Sequence, residues 1–295
     1  MFEDIYFVNF LKIKFHKLKR MISLPRKWMV LDVGSGDGPF PRADVSCDKY
    51  VFDTDRVSKL IIDRPFVMGD ITALPFLDKS FDFVFCSHVL EHVDRPDEAI
   101  REIMRVGKSG YIELPSEFQE KIQSTAVHKW YVKKENDCLV FRSKEREVFD
   151  DYIQQKFRNL IDKKDRTYLS FFFSHNYDLF NLEYYWNKEI KFKILGQPRI
   201  PHSKEEEKQQ SLNQIIAQLD KTLFTASHDF RSLLKVFIKK FFTKIKNTDL
   251  IKYLACPYCK NGVRYSEPGT LVCTACNRKF NVYKNVPVML KDVSR

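Results

Sequence analysis

Val30-Leu-Asp-Val-Gly-Ser-Gly-Asp-Gly38 is the stretch that most restricts the fold. A short apolar run, Trp28–Asp32, reads as a buried strand, and Gly34, Gly36 and Gly38 follow it at every second position. Glycines there let the backbone turn tightly and approach a ligand closely. The next apolar run, Ala43–Cys47, ends at Asp48, where a carboxylate can accept both hydroxyls of a ribose; Asp53 is the fallback. Only nine residues separate Gly38 from Asp48, too few for a crossover helix and its loops. A turn at Pro39-Phe-Pro41 must replace that helix. A standard dinucleotide fold, which seats its pyrophosphate on that helix's N-terminus, is thereby excluded.

Strand and helix patterns then alternate, which predicts an α/β sheet. Phe81–Cys86 and Gly110–Leu114 read as strands. Between them Pro96 suits a first helical turn, Asp97 and Glu98 suit its dipole, and Ala99, Ile100, Ile103, Met104 and Val106 form the buried stripe. Residues 116–180 read as an aromatic-rich insertion or lid on the sheet edge, with Phe141, Phe149, Tyr152, Phe157, Tyr168 and Phe171–Phe173. Leu182–Trp186 and Glu189–Leu195 read as a hairpin turned at Asn187-Lys188. Residues 2–23 and Phe230–Ile245 read as basic amphipathic helices, and Leu212–Leu223 as a further helix. The expected division is a helix at 1–24, a main domain at 25–197, a linker with helices at 198–247 and a small unit at 248–295.

With 295 residues and 44% hydrophobic content, the chain suits one good core and a small second unit. The net charge of +11 favours anionic partners without choosing among nucleic acid, acidic lipid and phosphorylated substrates. No apolar run reaches the roughly 18 residues of a membrane span, and the mixed basic and apolar N-terminus lacks the pattern of a signal peptide.

Seven cysteines divide into two C-x-x-C pairs and the scattered Cys47, Cys86 and Cys138. An odd total with metal-like spacing points to a reducing, cytoplasmic setting rather than to disulfides. Two such pairs present four thiolates on tight knuckles and can close a tetrahedron around Zn²⁺. Thirteen residues between Cys259 and Cys273 are ample for a β-hairpin. Cys256, Cys259, Cys273 and Cys276 are therefore the expected ligands of a structural zinc, which leaves no open position for catalysis. The alternative is a reduced, metal-free ribbon.

Gly69-Asp70-Ile71, Leu74-Pro-Phe76 and Ser80 through Val93, with Ser87-His-Val-Leu-Glu-His92 inside it, complete a recognisable series. At these residues the chain resembles the class I S-adenosylmethionine-dependent methyltransferases of the type 11 group, over roughly residues 25–115 and more loosely to about 197. The resemblance implies a Rossmann-like, seven-stranded sheet with the cofactor across the strands' carboxyl ends. It implies that Asp32 and Gly34, Ser35 and Gly36 hold the methionine part and Asp48 the ribose. Asp70 would bond the adenine amino group, Ile71 would pack its ring, and Ser87 and His88 would lie beside the sulfonium. His88, His92 and His128 are the candidate bases; the competing reading is that all three are ordinary polar or packing residues and that no base is needed.

Residues 248–292, with Leu271-Val-Cys273 and Asn285-Val-Pro-Val-Met-Leu290, resemble the small zinc-ribbon proteins that activate tRNA, rRNA and release-factor methyltransferases. That resemblance implies a ribbon docked in cis on the methyltransferase domain. Ser87-His-Val-Leu90 stands where enzymes that methylate planar amino groups carry an Asn-Pro-Pro-Tyr-like tetrapeptide. The expected acceptor is a small molecule, a glycan or a lipid-linked molecule, with RNA the alternative and a non-catalytic, cofactor-binding scaffold the rival class. The basic helices suit peripheral contact with a membrane.

Overall fold

The computed structural model describes residues 24–50, 60–144 apart from 124 and 126, 175–198 and 249–291, together with 152, 156, 215–217 and 219. The basic segments expected at 2–23 and Phe230–Ile245, Asp53, the linker after Pro198, Phe149, Phe157, Tyr168 and Phe171–Phe173 lie outside the described residues.

The centre is a parallel sheet built on β1 (Val30–Val33), β2 (Val45–Asp48), β3 (Phe66–Met68), β4 (Phe81–Ser87) and β5 (Gly107–Pro115). β1 to β3 are buried at every position, as sheets covered on both faces require. β1 pairs with β2 and β4, β2 with β3, and β4 with β5, all parallel. The carboxyl ends of all five strands therefore point to one edge. Helix α1 (Pro96–Val106) crosses from β4 to β5 with Ala99, Ile100, Ile103 and Val106 buried, while Met104 is only partly so. Among the described residues no helix is long and apolar enough to cross a membrane.

No helix forms between β1 and β2. Side chains hold the substitute turn instead. Asp32 Oδ2 accepts the Phe40 N–H at 2.6 Å, and the buried Arg64 donates to the carbonyls of Phe40 and Ala43 at 2.6 and 2.7 Å. The Phe40 ring stacks on Phe85 with centroids 4.2 Å apart.

The expected hairpin at 182–195 does not form. β8 (Asn181–Asn187) adds antiparallel to β5, whereas β9 (Lys191–Leu195) leaves for a second sheet, parallel to β7. That sheet, in order β6-β7-β9, includes β6 (Trp130–Glu135) and β7 (Cys138–Ser143). Asn136 and Asp137, both at positive φ, make its tight turn. The Tyr184 hydroxyl of β8 donates to the Asp137 carbonyl at 2.9 Å, and β9 gains five register pairs on β7 that an edge hairpin would forgo. Two short helices, α2 (Glu117–Ile122) and α3 (Tyr177–Phe180), complete the described part of the insertion.

The seven-strand expectation also needs correcting. Among the described residues the main domain supplies six strands to the central sheet, and four more come from the cysteine-rich segment. β10 (Val263–Glu267), β11 (Thr270–Cys273), β12 (Lys279–Tyr283) and β13 (Val286–Val288) continue the sheet past β3, where Met289 N–H donates to the Met68 carbonyl at 2.8 Å. A second seam runs along residues 75–77: Leu77 N–H donates to Tyr253, and Ala255 N–H to Pro75. Tyr253 stacks on Phe81, and Lys260 pairs with Glu102 of α1 at 2.8 Å. Leu254, Leu271, Phe280 and Met289 share one core with Leu31, Val67 and Phe76.

Candidate active site

The loop after β1 is built for close approach. Gly34 (φ +73°) donates to the Cys47 carbonyl at 2.8 Å, and Gly36 (φ +50°) to Asp48 Oδ2 at 3.0 Å. Ser35 between them is buried, and its hydroxyl has no hydrogen-bond partner within the chain. An orphaned buried hydroxyl is rare enough to need a reason, and a bound polar ligand is one. After β3, Asp70 Oδ1 caps a short 3-10 turn (Ile71–Ala73) through the Thr72 N–H and hydroxyl, at 2.9 and 2.7 Å. Its other oxygen pairs with Lys49 at 3.2 Å. Burial opposes the Asp70 charge, but Lys49 and Thr72 outweigh it and hold the carboxyl below its ordinary value. Ile71 is buried against this turn. Asp48, Gly36 and Gly34 are thus in one hydrogen-bonded unit, with Asp70 at the next strand end.

Asp32 lies beneath the loop, 2% exposed. Burial pushes its carboxyl up to about 7, only partly opposed by the Phe40 N–H and by Arg64. The neutral form is therefore favoured by folding, and the stability it contributes is full below about pH 4 and is lost as pH rises through about 7. Denaturant melts at pH 5 and pH 8 should show a stability drop that Asp32→Asn flattens; equal slopes in both proteins would overturn this assignment.

At the end of β4, His88 adopts φ +55° and sits between two carboxylates, Nδ1 3.4 Å from Glu91 and Nε2 3.5 Å from Glu113. Burial works against its charge, but these neighbours prevail and push the imidazole up to about 10. Both carboxylates thus favour the protonated ring. Ser87 donates to Glu113 at 3.0 Å. His92 and His128 meet edge to face, with ring centroids 4.5 Å apart, and their ligand atoms lie within 4.8 Å of those of Glu91. The meeting is enforced by the backbone: Lys129 N–H donates to the Glu91 carbonyl, and Trp130 Nε1 to the Val93 carbonyl, both at 2.8 Å. The three histidines therefore gather around Glu91.

In the cysteine-rich segment, Sγ atoms lie 3.7 Å apart for Cys256 and Cys276 and 3.3 Å apart for Cys259 and Cys273. All four fall within 4.8 Å of one another. A zinc–thiolate tetrahedron of about 2.3 Å radius has edges of about 3.8 Å, so the donor set fits Zn²⁺. The Cys273 sulfur also receives the Ala275 and Cys276 N–H groups at 3.4 Å, as a metal-binding knuckle does.

A family model described as "Methyltransferase domain" matches residues 31–112. A UPF0434 protein of Nitrosococcus oceani is 36% identical over 47 residues, 16% of this chain and 80% of that protein. The chain carries a UPF0434-family segment beside its match to a methyltransferase domain. The chain is also similar to a demethylmenaquinone methyltransferase of Renibacterium salmoninarum, 41% identical over 96 residues, 30% of this chain and 40% of that one. A second protein of that description, from Paenarthrobacter aurescens, is 33% identical over 106 residues, 34% of this chain and 42% of that one. The chain spans about two fifths of the length of these relatives. A chain of the solved complex between the Haloferax volcanii Trm112 methyltransferase activator and a methyltransferase aligns at 18% identity and a TM-score of 0.36, over 58% of this chain and 87% of that chain.

Within the methyltransferase domain the sequence reading passed over Glu113. Its carboxylate lies 2.5 Å from the Tyr111 hydroxyl, accepts from Tyr177 at 2.6 Å, and faces His88. Burial disfavours its charge, yet these donors hold it well below the ordinary carboxylate range. The Tyr111 hydroxyl is also 2.5 Å from Glu183 Oε1. The signal was available: a glutamate in the otherwise apolar run Gly110–Leu114, near the carboxyl end of a central strand. Lys49, which confronts Asp70, carried no comparable mark.

Proposed function

We propose that the chain is an S-adenosylmethionine-dependent methyltransferase acting on a small-molecule, glycan or lipid-linked acceptor, with a zinc ribbon fused in cis. The observation that carries this reading is the convergence of four strand ends on one edge. They bring together the positive-φ glycine loop with its orphaned Ser35 hydroxyl, Asp48, Asp70 with Ile71, and the Ser87-His88 pair. When bound, S-adenosylmethionine supplies an electrophilic methyl group. The protein's part is placement and electrostatics. Asp32 and Gly34–Gly36 are assigned to the methionine part, Asp48 to the ribose and Asp70 with Ile71 to the adenine. Ser87 and His88 are assigned to the side facing the acceptor, where Glu113 fixes both. Two relatives named for demethylmenaquinone support a small-molecule acceptor. The four-thiolate cluster supports structural zinc.

Calorimetry of the whole chain with S-adenosylmethionine tests the reading, and absence of binding would leave only a scaffold. If Asp70 receives the adenine amino group, Asp70→Ala should weaken binding by about 1–3 kcal/mol. Unchanged affinity would remove that assignment. Turnover with small acceptors, insensitive to salt, is the expected result; a methyl group carried to RNA with steep salt dependence would redirect the substrate class.

A further inference from the structure

We infer that Glu91, His92 and His128 form a second metal site, one for a divalent transition-metal ion. Their ligand atoms all lie within 4.8 Å of one another. Glu91 is 0% exposed, and neither of its carboxylate oxygens has a hydrogen bond within the chain. A carboxylate taken fully out of water is costly, and a bound cation would add to the compensation that His88 supplies from 3.4 Å.

The surroundings match what a histidine ligand needs. His128 Nδ1 is engaged by Glu120, so Nε2 is the nitrogen left to bind, and a carboxylate behind a ligating imidazole fixes its tautomer and orientation. Glu120 is 1% exposed and is itself held by the buried Lys144. The backbone bonds from Lys129 and Trp130 lock the His128 segment against the Glu91-His92 turn. Metal–nitrogen and metal–oxygen bonds of about 2.1 Å require modest closure of the three groups, and the half-exposed His92 can swing to provide it.

Two imidazoles and one carboxylate select iron, zinc, cobalt or nickel over magnesium or calcium, and three protein ligands leave coordination positions open. His92, the half-exposed member, lies in the turn that follows Ser87 and His88. If the methyl-transfer reading holds, the ion takes oxygen atoms of the acceptor there. It would favour an acceptor with a hydroxyl beside a second oxygen, both of which an ion with open positions can hold.

The test uses the full chain with its cysteines already filled with zinc, titrated with Co²⁺. One further equivalent should bind, with visible bands of nitrogen and oxygen ligation and without thiolate charge transfer. His92→Ala and His128→Ala should each weaken that uptake at least about tenfold, and Glu120→Gln about 10–100-fold, while zinc at the cysteines stays at one equivalent. Should the His128 variant fail to fold, the half-exposed His92 decides by substitution, and paramagnetically shifted imidazole protons in the native Co²⁺ form decide without any. No Co²⁺ uptake beyond the cysteines, or uptake unchanged in both histidine variants, overturns the site. Calorimetry with S-adenosylmethionine on the same samples separates the two readings. Metal uptake without cofactor binding keeps the site and removes the methyltransferase assignment; cofactor binding without metal uptake does the reverse.

Discussion

Cys273→Ser should release the zinc and unfasten one side of the methyltransferase sheet with it. Cys273 is fully buried at the end of β11 and belongs to the same core as Leu31, Val67 and Phe76. Apparent binding energies of structural zinc are about 10–16 kcal/mol and are realised as folding energy, so a missing thiolate is felt through the whole ribbon. Loss of the ribbon strips β13 from β3 and exposes Met68, Leu254 and Met289. For a domain of this size each kcal/mol moves the melting point by roughly 2–4 °C, so a drop of about 10 °C or more is expected. Metal analysis should find well under one zinc per chain, and dye binding should report new apolar surface. Cys138→Ser, in the second sheet and outside the cluster, is the control and should change neither quantity. A Cys273→Ser protein with a full zinc equivalent and an unshifted melt would defeat the structural-zinc reading.

What was legible in the sequence was whatever local chemistry decides. The glycine loop, helix α1 with its proline and acidic first turn, and the paired thiolates each depend on residues a few positions apart. The replacement of the first crossover helix was also readable, because nine residues cannot hold one. What holds the substitute turn was not readable: Arg64 and Asp32 reach it from 24 and 8 residues away. The hairpin at 182–195 failed for the same reason. Two strands with a turn signal between them favour pairing locally, but β5 and β7 offered longer ladders to each strand separately. β3, only three residues long, carried too little pattern to find. At the site, residue types were visible and partnerships were not. Nothing local says that His88 stands between Glu91 and Glu113, or that His128 returns to His92 from 36 residues away.

Gly34→Ala should abolish cofactor binding more thoroughly than any single carboxylate change, because it strikes the loop and the turn opposite together. Two separate obstacles meet there. Gly34 has φ +73°, where an L-residue other than glycine loses roughly 1–2 kcal/mol. An added Cβ would also stand 2.2 Å from Val89 Cγ2, closer than any real contact, so that Val89 or the loop must move. Overpacking of this kind costs about 1–3 kcal/mol. Val89 begins the turn that carries Glu91 and His92, so the displacement reaches the groups beyond the loop. A free loop that relaxes out of both obstacles must re-enter them on binding, and roughly 2–5 kcal/mol then corresponds to a loss of about 30-fold to several thousandfold in affinity, at 1.4 kcal/mol per tenfold. The two obstacles can be separated. Adding Val89→Ala to Gly34→Ala removes the collision but not the backbone strain, so affinity should recover in part and not wholly. Calorimetry with S-adenosylmethionine on the native chain and on the single and double variants reads this directly, with the melting point as a check on folding. If Gly34→Ala binds the cofactor like the native protein, the loop after β1 is not its cradle. If the second substitution restores nothing, the backbone conformation rather than the contact with Val89 is what the glycine serves.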